Sequence, residues 1–330
     1  MSDQHQLVTL GVVAIAVAAP VLWAALGELV AEKGGIINPG IEGVMLVAAL
    51  AATTAYRSSA SMLLAVLAAL AAGLVAGLLF AYLFVSRGVN QIITGILFNL
   101  FALGITTTIF IAQSDLARAR IKVTPPIAVP LLEDLPIVGP VLFRQNVFVY
   151  GSVLAVLAIY ALMRWTWLGL AIRAAGEHPR AVEAAGLNVW RVRYVATVIG
   201  AVLPAMGGAV LVLGIVGGFN PGMSSGQGFI ALGIVVLARW NALAVVAGSL
   251  LFGLAQALQF QAQGMALLRG VPIEIWLAVP YLVTIAAVML TRSSEYPRAA
   301  ATPYVPPARG LRLRWSRPSV LTRSPGTTAG

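Results

Sequence analysis

The sequence contains no cysteine, and this absence excludes three kinds of feature. Without thiols the chain can form no disulfide, bind no metal through thiolate and carry no lipid attached through cysteine. Lysine is almost absent as well, because only Lys33 and Lys122 occur and neither follows a glycine. The G-x-x-x-x-G-K-[ST] phosphate loop is therefore missing, so the chain cannot hydrolyse ATP by that route.

Catalytic motifs are also missing. The two histidines, His5 and His178, have no partners at metal-ligand spacing, and neither H-E-x-x-H nor G-x-S-x-G occurs. The apolar segments show no acid–base pair and no nucleophile beside a base. We therefore predict that the chain is not an enzyme and holds no metal or cofactor of its own. A membrane enzyme remains a hypothesis, but it is weaker than the two transport hypotheses given below.

The chain has few charged residues, and this indicates that lipid rather than water surrounds most of it. Only 10% of the 330 residues are charged and 60% are hydrophobic, whereas soluble domains are about a quarter charged. We therefore predict an all-α polytopic membrane protein, with the lipid bilayer as its solvent. Residues 7–26 precede the first basic residue, so they lack the basic region of a cleaved signal peptide and are interpreted as a retained membrane helix.

Long apolar runs give nine candidate spans, since crossing the hydrocarbon takes about 20 apolar residues. They are 7–27, 36–56, 60–85, 89–111, 148–163, 194–217, 229–239, 242–262 and 274–291. The second begins on a broken turn and the seventh is short, so either could be a half-helix that re-enters. With nine crossings the N-terminus lies outside; with eight, both termini lie inside.

Positive charge is concentrated in two stretches outside the spans. The loop 164–193 holds five arginines and two acids, and the segment 292–330 holds seven arginines and one acid. Both are predicted to be cytoplasmic, and the second to be a disordered, proline-rich tail held near anionic headgroups. The loop 112–147 is then external. Nucleic-acid binding is the other interpretation of such basic stretches, and we do not expect it.

An internal repeat divides the predicted transmembrane domain, residues 1–291. Asn-Pro-Gly occurs at 38–40 and again at 220–222, each time just before an apolar run. The halves, about 7–111 and 192–291, each contain four segments with one span between them, so they are predicted to be inverted. Broken helices at matching places in two halves indicate a binding or translocation site.

Glu42 is interpreted as the only acid well inside an apolar segment. Intramembrane carboxylates are costly and are functional by default, facing a cavity or holding a re-entrant turn. The alternative is that Glu42 caps the helix that begins after Pro39. Asn38 and Asn220 are turn residues with a second role in contacting solute.

Glutamines mark a further candidate path. Gln256, Gln259 and Gln263 share one helix face through spacings of three and four. They either line an aqueous path or bond to neighbouring helices. Gln91, Thr94 and Asn99 form a weaker version of the same pattern in the first half. Pairs of small residues four apart, such as Gly73 and Gly77, predict close helix packing.

The cytoplasmic loop contains a short segment with helix signals at both ends. Pro179 can open a helix and Gly186 can end it in a left-handed cap. Between them lies a smooth alanine face that could dock into a groove on a partner protein; a surface turn is the alternative. The segment consists of Gly176, Glu177, His178, Pro179, Arg180, Ala181, Val182, Glu183, Ala184, Ala185, Gly186 and Leu187.

This segment resembles the coupling segment of ATP-binding-cassette importer permeases of the branched-chain amino acid, ribose and nucleoside type, G-E-N-P-x-A-A-x-x-A-G-[IL], with His178 in place of Asn. The family's N-x-G-x-E-G pattern is matched by Asn38, Gly40, Glu42 and Gly43. Its G-x-G-F-I-A-L pattern is matched by Gly226, Gly228, Phe229, Ile230, Ala231 and Leu232, with Gln227 where many members carry Arg. The nucleoside or simple-sugar branch is the most similar.

The resemblance implies the membrane subunit of an importer in a bacterial or archaeal inner membrane. Two permease subunits, often non-identical, would enclose one path for a neutral polar solute, and an external binding protein would deliver it. Two ATPase subunits would bind ATP and dock on 176–187. The expected path residues are Asn38, Glu42, Asn99, Asn220, Gln227, Gln256, Gln259 and Gln263. A self-sufficient secondary transporter or channel stays a rival hypothesis, as does a branched-chain amino acid substrate.

Overall fold

The computed structural model describes residues 3–113, 116, 120–130, 132–133, 135–264, 273–290 and 296–305, and these are almost entirely helical. Their only strands are a short antiparallel pair, β1 (Ile127–Ala128) and β2 (Arg144–Gln145). The helices are α1 (Asp3–Lys33), α2 (Ile41–Ser59), α3 (Met62–Ala81), α4 (Gln91–Ala112), α5 (Val138–Leu142), α6 (Val147–Trp165), α7 (Trp167–Glu177), α8 (Pro179–Ala184), α9 (Val189–Val210), α10 (Gln227–Leu237), α11 (Ala242–Gly264) and α12 (Ile273–Leu290). π-Helical turns at Tyr82–Ser86 and Leu211–Val216 extend α3 and α9.

In the described part of the chain, six helices are long and apolar enough to cross a membrane: α1, α3 and α9 with their π-helical turns, α4, α6 and α11. All six lie within predicted spans or extend them. α10 is apolar but has only 11 residues, fewer than the roughly 20 needed to cross. It is one of the two segments predicted to be weak. The total of eight or nine crossings stays a prediction.

Polar residues set where several helices begin. The side chains of Ser61, Asn90, Asn146, Thr166 and Asn188 each accept a hydrogen bond from a backbone N–H in the first turn of α3, α4, α6, α7 and α9, respectively. Such caps satisfy amide groups that have no partner within the helix. The apolar runs between the caps then determine the helix lengths.

α1 lies at the centre of the fold, and small residues let α9 pack closely against it. A Cβ atom built on Gly27 would come within 2.5 Å of the Pro204 ring, and one on Gly34 within 2.7 Å of Ala196. α10, α11 and α6 contact other sides of α1. Lipid provides no hydrophobic force between helices, so close contact through small residues is a main source of packing energy.

The predicted packing role of Gly73 and Gly77 is confirmed. Both lie on α3 where it crosses α9, and a Cβ atom on Gly73 would lie 2.4 Å from that of Ala205. The opposite faces of α3 and α4 carry bare apolar side chains: Leu63 and Val75 are each 67% exposed and Phe101 is 64% exposed. Such faces suit contact with lipid chains.

The external loop predicted at 112–147 packs over the C-terminal end of α9. The backbone N–H of Ile121 donates to the carbonyl of Gly217 at 2.9 Å, and that of Thr124 to the carbonyl of Leu213 at 3.0 Å. β1, α5 and β2 belong to this loop. We call the end of the molecule that carries it the loop side.

Part of the predicted disordered tail is folded, so that prediction is wrong for 296–305. The backbone N–H of Ala299 donates to the carbonyl of Gly176 at 2.8 Å, and that of Ala301 to the carbonyl of Gly35 at 3.1 Å. The ring of Tyr296 packs edge-on against Trp240, with centroids 4.8 Å apart. These contacts hold the segment, which we call the strap, although its charge and prolines suggested otherwise. Residues 306–330 lie outside the described part.

Replacing Gly73 by valine is expected to destabilise the protein by about 1–3 kcal/mol, because α3 must move away from α9. Gly104 on α4 is the matched control, since a Cβ atom there meets nothing within 4 Å. Melting temperatures in detergent, read by size-exclusion chromatography, compare Gly73→Val with Gly104→Val. Equal melting temperatures for the two variants would contradict this account of α3–α9 packing.

Candidate functional site

The first break in the helical framework lies between α1 and α2, and side chains from other helices hold it. The backbone N–H of Asn38 donates to Glu28 Oε1 at 2.9 Å, and that of Ile37 donates to Gln91 Oε1 at 2.8 Å. The Asn38 side chain accepts from the N–H of Gly40 at 3.1 Å. The predicted turn role of Asn38 agrees with this geometry.

Asn99 completes the support of the first break. Its Nδ2 donates to the carbonyl of Pro39 at 2.8 Å, and its Oδ1 accepts from the N–H of Gly43 at 2.8 Å. Asn99 therefore bridges the end of the break and the first turn of α2 from its place on α4. Both functional groups of its amide are used, so the structure assigns Asn99 to holding the turn.

Glu42 joins the two breaks. Its Oε1 accepts from the hydroxyl of Ser224 at 2.5 Å and from the N–H of Gly226 at 2.8 Å, while its Oε2 accepts from the N–H of Gly228 at 2.7 Å. These donors all belong to the second break or to the first turn of α10. The carboxylate thus caps α10, where free N–H groups and the helix dipole favour a negative charge.

The predicted capping of its own helix by Glu42 is therefore wrong in one respect. α2 begins after Gly40 without a side-chain cap, and the carboxylate crosses to a helix 182 residues further along the chain. The other interpretation, that Glu42 holds a re-entrant turn through hydrogen bonds, agrees with the structure. Nothing in the sequence indicated this partner, because it lies far from Glu42 along the chain.

Gly228 makes the junction possible. A Cβ atom at this position would lie 2.6 Å from the backbone nitrogen of Glu42 and 2.8 Å from its Cα. Any larger residue would push α10 away from α2. The Gly226–Gly228 pattern in the sequence therefore marks a close approach of two backbones.

The two breaks approach the junction from opposite ends of the molecule. Gly35, where the first break starts, bonds to the strap beside α8. Gly217, where the second break starts, bonds to the loop side through Ile121. The two chain segments meet where α2 and α10 begin. The N-termini of two broken helices are thus brought together near Glu42.

A cavity of about 300 Å³ lies next to this junction. Three of the predicted path residues line it, Gln227, Gln256 and Gln259, so the structure brings together glutamines from α10 and α11. The rest of its lining is formed by Val17, Leu211, Ile215, Val216, Met223, Ser225, Phe252, Phe260, Pro280 and Tyr281. The side chain of Gln263 lies outside the described residues.

Unpaired amide groups border the cavity. The buried Oε1 atoms of Gln227 and Gln256 have no hydrogen-bond partner in the described part of the chain. The Tyr281 hydroxyl donates to the carbonyl of Ser225 at 2.6 Å. Because a buried amide oxygen without a partner costs free energy, these groups are suited to meet a ligand or water. The role of Tyr281 had no signal in the sequence.

Asn38, Asn99 and Asn220 do not line the cavity. The first two are buried in the support of the first break, and Asn220 is an exposed residue whose carbonyl accepts from the N–H of Met223 at 3.1 Å. Asn38 and Asn220 lie in turns, which asparagine stabilises through local hydrogen bonds, whereas Asn99 supports the first break from within α4. Among the expected path residues whose side chains the structure describes, Gln227, Gln256 and Gln259 reach the cavity.

Two buried acids were missed by the sequence analysis. α1 continues past the predicted end of the first span, at residue 27, and buries Glu28 and Glu32. Glu28 holds the backbone of Asn38, and Glu32 Oε2 accepts from the indole N–H of Trp240 at 2.5 Å. Glu42 is therefore not the only acid in the interior. Their spacing of four residues, which places both on one helix face, was the available signal.

The predicted coupling segment has the expected local structure. α8 begins at Pro179, and Gly186 has φ +81°, in the left-handed region that favours glycine. Val182 faces inward, whereas Ala181, Glu183, Ala184 and Ala185 are exposed. A surface turn is therefore excluded, and an exposed alanine face is present.

The strap lies against this segment. The Tyr304 hydroxyl donates to Glu183 Oε2, and burial together with this carboxylate raises the pKa of Tyr304. The guanidinium of Arg193, which is 1% exposed, donates to the carbonyls of Thr302, Ala299 and Ala175. One buried arginine of α9 thus ties the strap to the end of α7, directly before the coupling segment.

Replacing Ser224 by alanine is expected to lower stability by about 1 kcal/mol or more, because Glu42 loses a donor in a buried site. Glu42→Ala should cost more, since it leaves the N–H groups of Gly226 and Gly228 without their acceptor. The side-chain hydroxyl of the exposed neighbour Ser225 donates to the local carbonyl of Gly222 and not to Glu42, so Ser225→Ala is the matched control. Thermal unfolding in detergent measures all three, and a Ser225→Ala effect as large as that of Ser224→Ala would argue against the junction.

Known proteins similar to this chain agree with the geometry. The family described as "Branched-chain amino acid transport system / permease component" matches residues 12–288. The guanosine ABC transporter permease protein NupQ of Bacillus subtilis is 32% identical over 87% of this chain and 93% of its own length. The nucleoside ABC transporter permease protein NupC of Lactococcus lactis is 29% identical over 82% and 88%, respectively.

A third relative, the putative glucose ABC transporter permease protein TsgC13 of Haloferax volcanii, is 33% identical over 80% of this chain and 86% of its own length. No solved structure matches the chain. The family match covers most of the chain, including both breaks, the cavity and the coupling segment. The chain therefore belongs to the branched-chain amino acid transport system permease family, and it is a multi-pass membrane permease subunit of an ATP-binding-cassette importer.

Proposed function

We propose that this permease forms part of the translocation path for a neutral polar solute, a nucleoside or a simple sugar, and that the cavity beside the junction is where the solute is held. The observation that carries the proposal is the pair of unpaired amide oxygens, on Gln227 and Gln256, at a cavity of about 300 Å³. That volume is at the lower end of the range for small-molecule sites.

The lining of the cavity favours a neutral solute. It contains amide, hydroxyl, apolar and aromatic groups and no ionised side chain. Phe252, Phe260 and Tyr281 offer faces for a base or a sugar ring, and the glutamines offer hydrogen bonds to its hydroxyl or amide groups. The relatives named for guanosine, nucleosides and glucose support the same class of solute.

A branched-chain amino acid is disfavoured as the solute, because the N–H groups at the N-terminus of α10 already have an acceptor. Broken helices often bind the carboxylate of a solute through free N–H groups at such an end. Here Glu42 already accepts the N–H groups of Gly226 and Gly228. A second carboxylate would meet a negative charge in place of free donors.

The same bonds weigh against ion-coupled transport through Glu42. Its two oxygens accept three hydrogen bonds, so it is engaged in holding structure. We propose that the driving force comes from ATP bound and hydrolysed by separate ATPase subunits, and that this chain binds no cofactor. A second permease subunit, non-identical to this one, would complete the path, and an extracytoplasmic binding protein would deliver solute at the loop side.

We propose that the two halves of the chain are inverted repeats. Support comes from the opposite approach of the two breaks, one from beside α8 and one from the loop side. In such architectures the site lies where the repeats meet. The cavity beside Glu42 occupies that place.

ATPase docking is proposed at α8. Its exposed alanine face can enter a groove on the ATPase, and Glu177, Arg180 and Glu183 flank it. Through Gly176 and Glu183 the segment is bonded to the strap, and the strap is bonded to Gly35 at the first break. Movement of α8 would therefore reach the junction through a short chain of backbone contacts.

Replacing Ala184 by arginine is expected to reduce ATP-driven uptake at least tenfold, because a long charged side chain blocks a smooth docking face. The measurement is solute uptake into proteoliposomes that contain the partner subunits, with co-purification of the ATPase as a second readout. Ala128→Arg, at an exposed position in β1 on the loop side, is the matched control for ATPase co-purification, which it should leave unchanged. Undiminished uptake and co-purification by Ala184→Arg would rule out α8 as the docking element.

Replacing Gln227 or Gln256 by alanine is expected to slow solute uptake several-fold, since one hydrogen bond to a neutral solute contributes about 0.5–1.5 kcal/mol. Gln261, on the same helix as Gln256, instead donates to the carbonyl of Gln6 at 3.2 Å, so Gln261→Ala is the control. ATPase co-purification should be unchanged in all three variants. If only the control variant slowed uptake, the cavity would not be the solute site.

A further inference from the structure

A second cavity, of about 330 Å³, lies away from the junction and gathers basic side chains. Its lining includes four of them, from α1, α6, α7 and the turn after α10: Lys33, Arg164, Arg173 and Arg239. These residues are far apart in sequence, so only the fold brings them together. The solute path and the coupling segment do not include any of them.

The four positive charges outnumber the two described acids near them, Glu177 and, behind Trp240, the buried Glu32. Glu177 is the described acid whose charge acts on Lys33, and Arg173 acts on Lys33 with the opposite sign. The one side-chain hydrogen bond described for Arg173 goes to the carbonyl of Gly169 in its own helix, at 3.4 Å. Four cations around one concave site therefore attract an anion.

The local backbone directs Arg239 to this site. Arg239 and Trp240 both have positive φ, +51° and +54°, an uncommon conformation for residues with side chains. The turn lets the Trp240 indole reach Glu32 while Arg239 lines the cavity. A costly turn of this kind is a reason to look for function at its side chains.

Apart from Asn241, the other residues that line the cavity are apolar or aromatic, and the surroundings indicate the membrane interface. Leu29, Tyr160 and Met163 contribute to the lining. Beside them Trp165 is 75% exposed and Trp167 69% exposed, flanking the end of α6. Exposed tryptophans next to basic residues are typical of the headgroup level of a bilayer.

From this combination we infer that the cavity binds the headgroup of an anionic phospholipid such as phosphatidylglycerol. The phosphate is held by the arginines and Lys33, and the start of the acyl chains rests against the half-buried ring of Tyr160. Basic pockets between membrane helices on the cytoplasmic side suit such headgroups. An acidic protein surface fits less well, because the site is concave and partly apolar.

The test compares lipid binding by the purified full-length chain in neutral detergent. Native mass spectrometry counts bound phosphatidylglycerol and phosphatidylcholine, and thermal unfolding gives apparent affinities for each lipid and for inorganic phosphate. The test variant is R164Q/R173Q/R239Q. The control is R87Q/R191Q/R298Q, which removes the same charge at exposed arginines outside the cavity.

The expected result is selective binding of phosphatidylglycerol by the wild type and the control. Each arginine removed from the cavity should weaken it roughly fivefold, so the test variant loses on the order of a hundredfold. If the triple variant does not fold, R164Q alone should show the fivefold loss, because Arg164 is an exposed residue in the last turn of α6.

Three outcomes would overturn the inference. In the first, the test and control variants bind phosphatidylglycerol equally well. In the second, phosphatidylcholine or inorganic phosphate alone binds as tightly as phosphatidylglycerol, so the site does not recognise an anionic lipid. In the third, lipid binding is unchanged but co-purification of the ATPase is lost, so the basic cavity serves a protein contact.

Discussion

The hydrogen bonds of the Glu42 carboxylate are the interaction on which the rest of this structure depends. They provide acceptors for the free backbone N–H groups at the N-terminus of α10. Inside a membrane protein such groups cannot rely on water for hydrogen bonds. They also fix α10 against the first turn of α2, and so define the edge of the cavity. A carboxylate is suited to this place because it accepts several donors at once and complements the helix dipole. Its cost of burial is offset by these bonds.

Hydrogen bonds connect the two ends of the molecule to the two breaks that meet at this junction. On one side the first break bonds to the strap, and the strap bonds to the coupling segment and to Arg193. On the other side the second break bonds to the loop 112–147. Both ends of the molecule thus reach the same pair of broken helices through few contacts. Small residues between α1, α3 and α9 keep the surrounding helices close.

Sequence reasoning succeeded where the signal was local. Proline at the start and glycine at the end of α8, the apolar runs of the six long helices and the Asn-Pro-Gly breaks were all readable. It was wrong where partners are distant. The partner of Glu42 lies 182 residues away, Glu28 and Glu32 are buried by neighbouring helices, and the strap is folded despite a composition typical of disorder. The asparagines were expected in the path, yet two of them support the first break.

The sequence by itself determined that the chain is a membrane protein and which of its long apolar segments are helical. It also showed that an Asn-Pro-Gly break occurs twice, and it determined the family. These properties follow from composition, period and short motifs, which act over a few residues. Only the tertiary structure decided that Glu42 caps α10, that glutamines from two helices share one cavity, and that four basic residues surround another. The physical reason is that hydrogen bonds and charges act across space, whereas a pattern along the chain records only which side chains share a helix face.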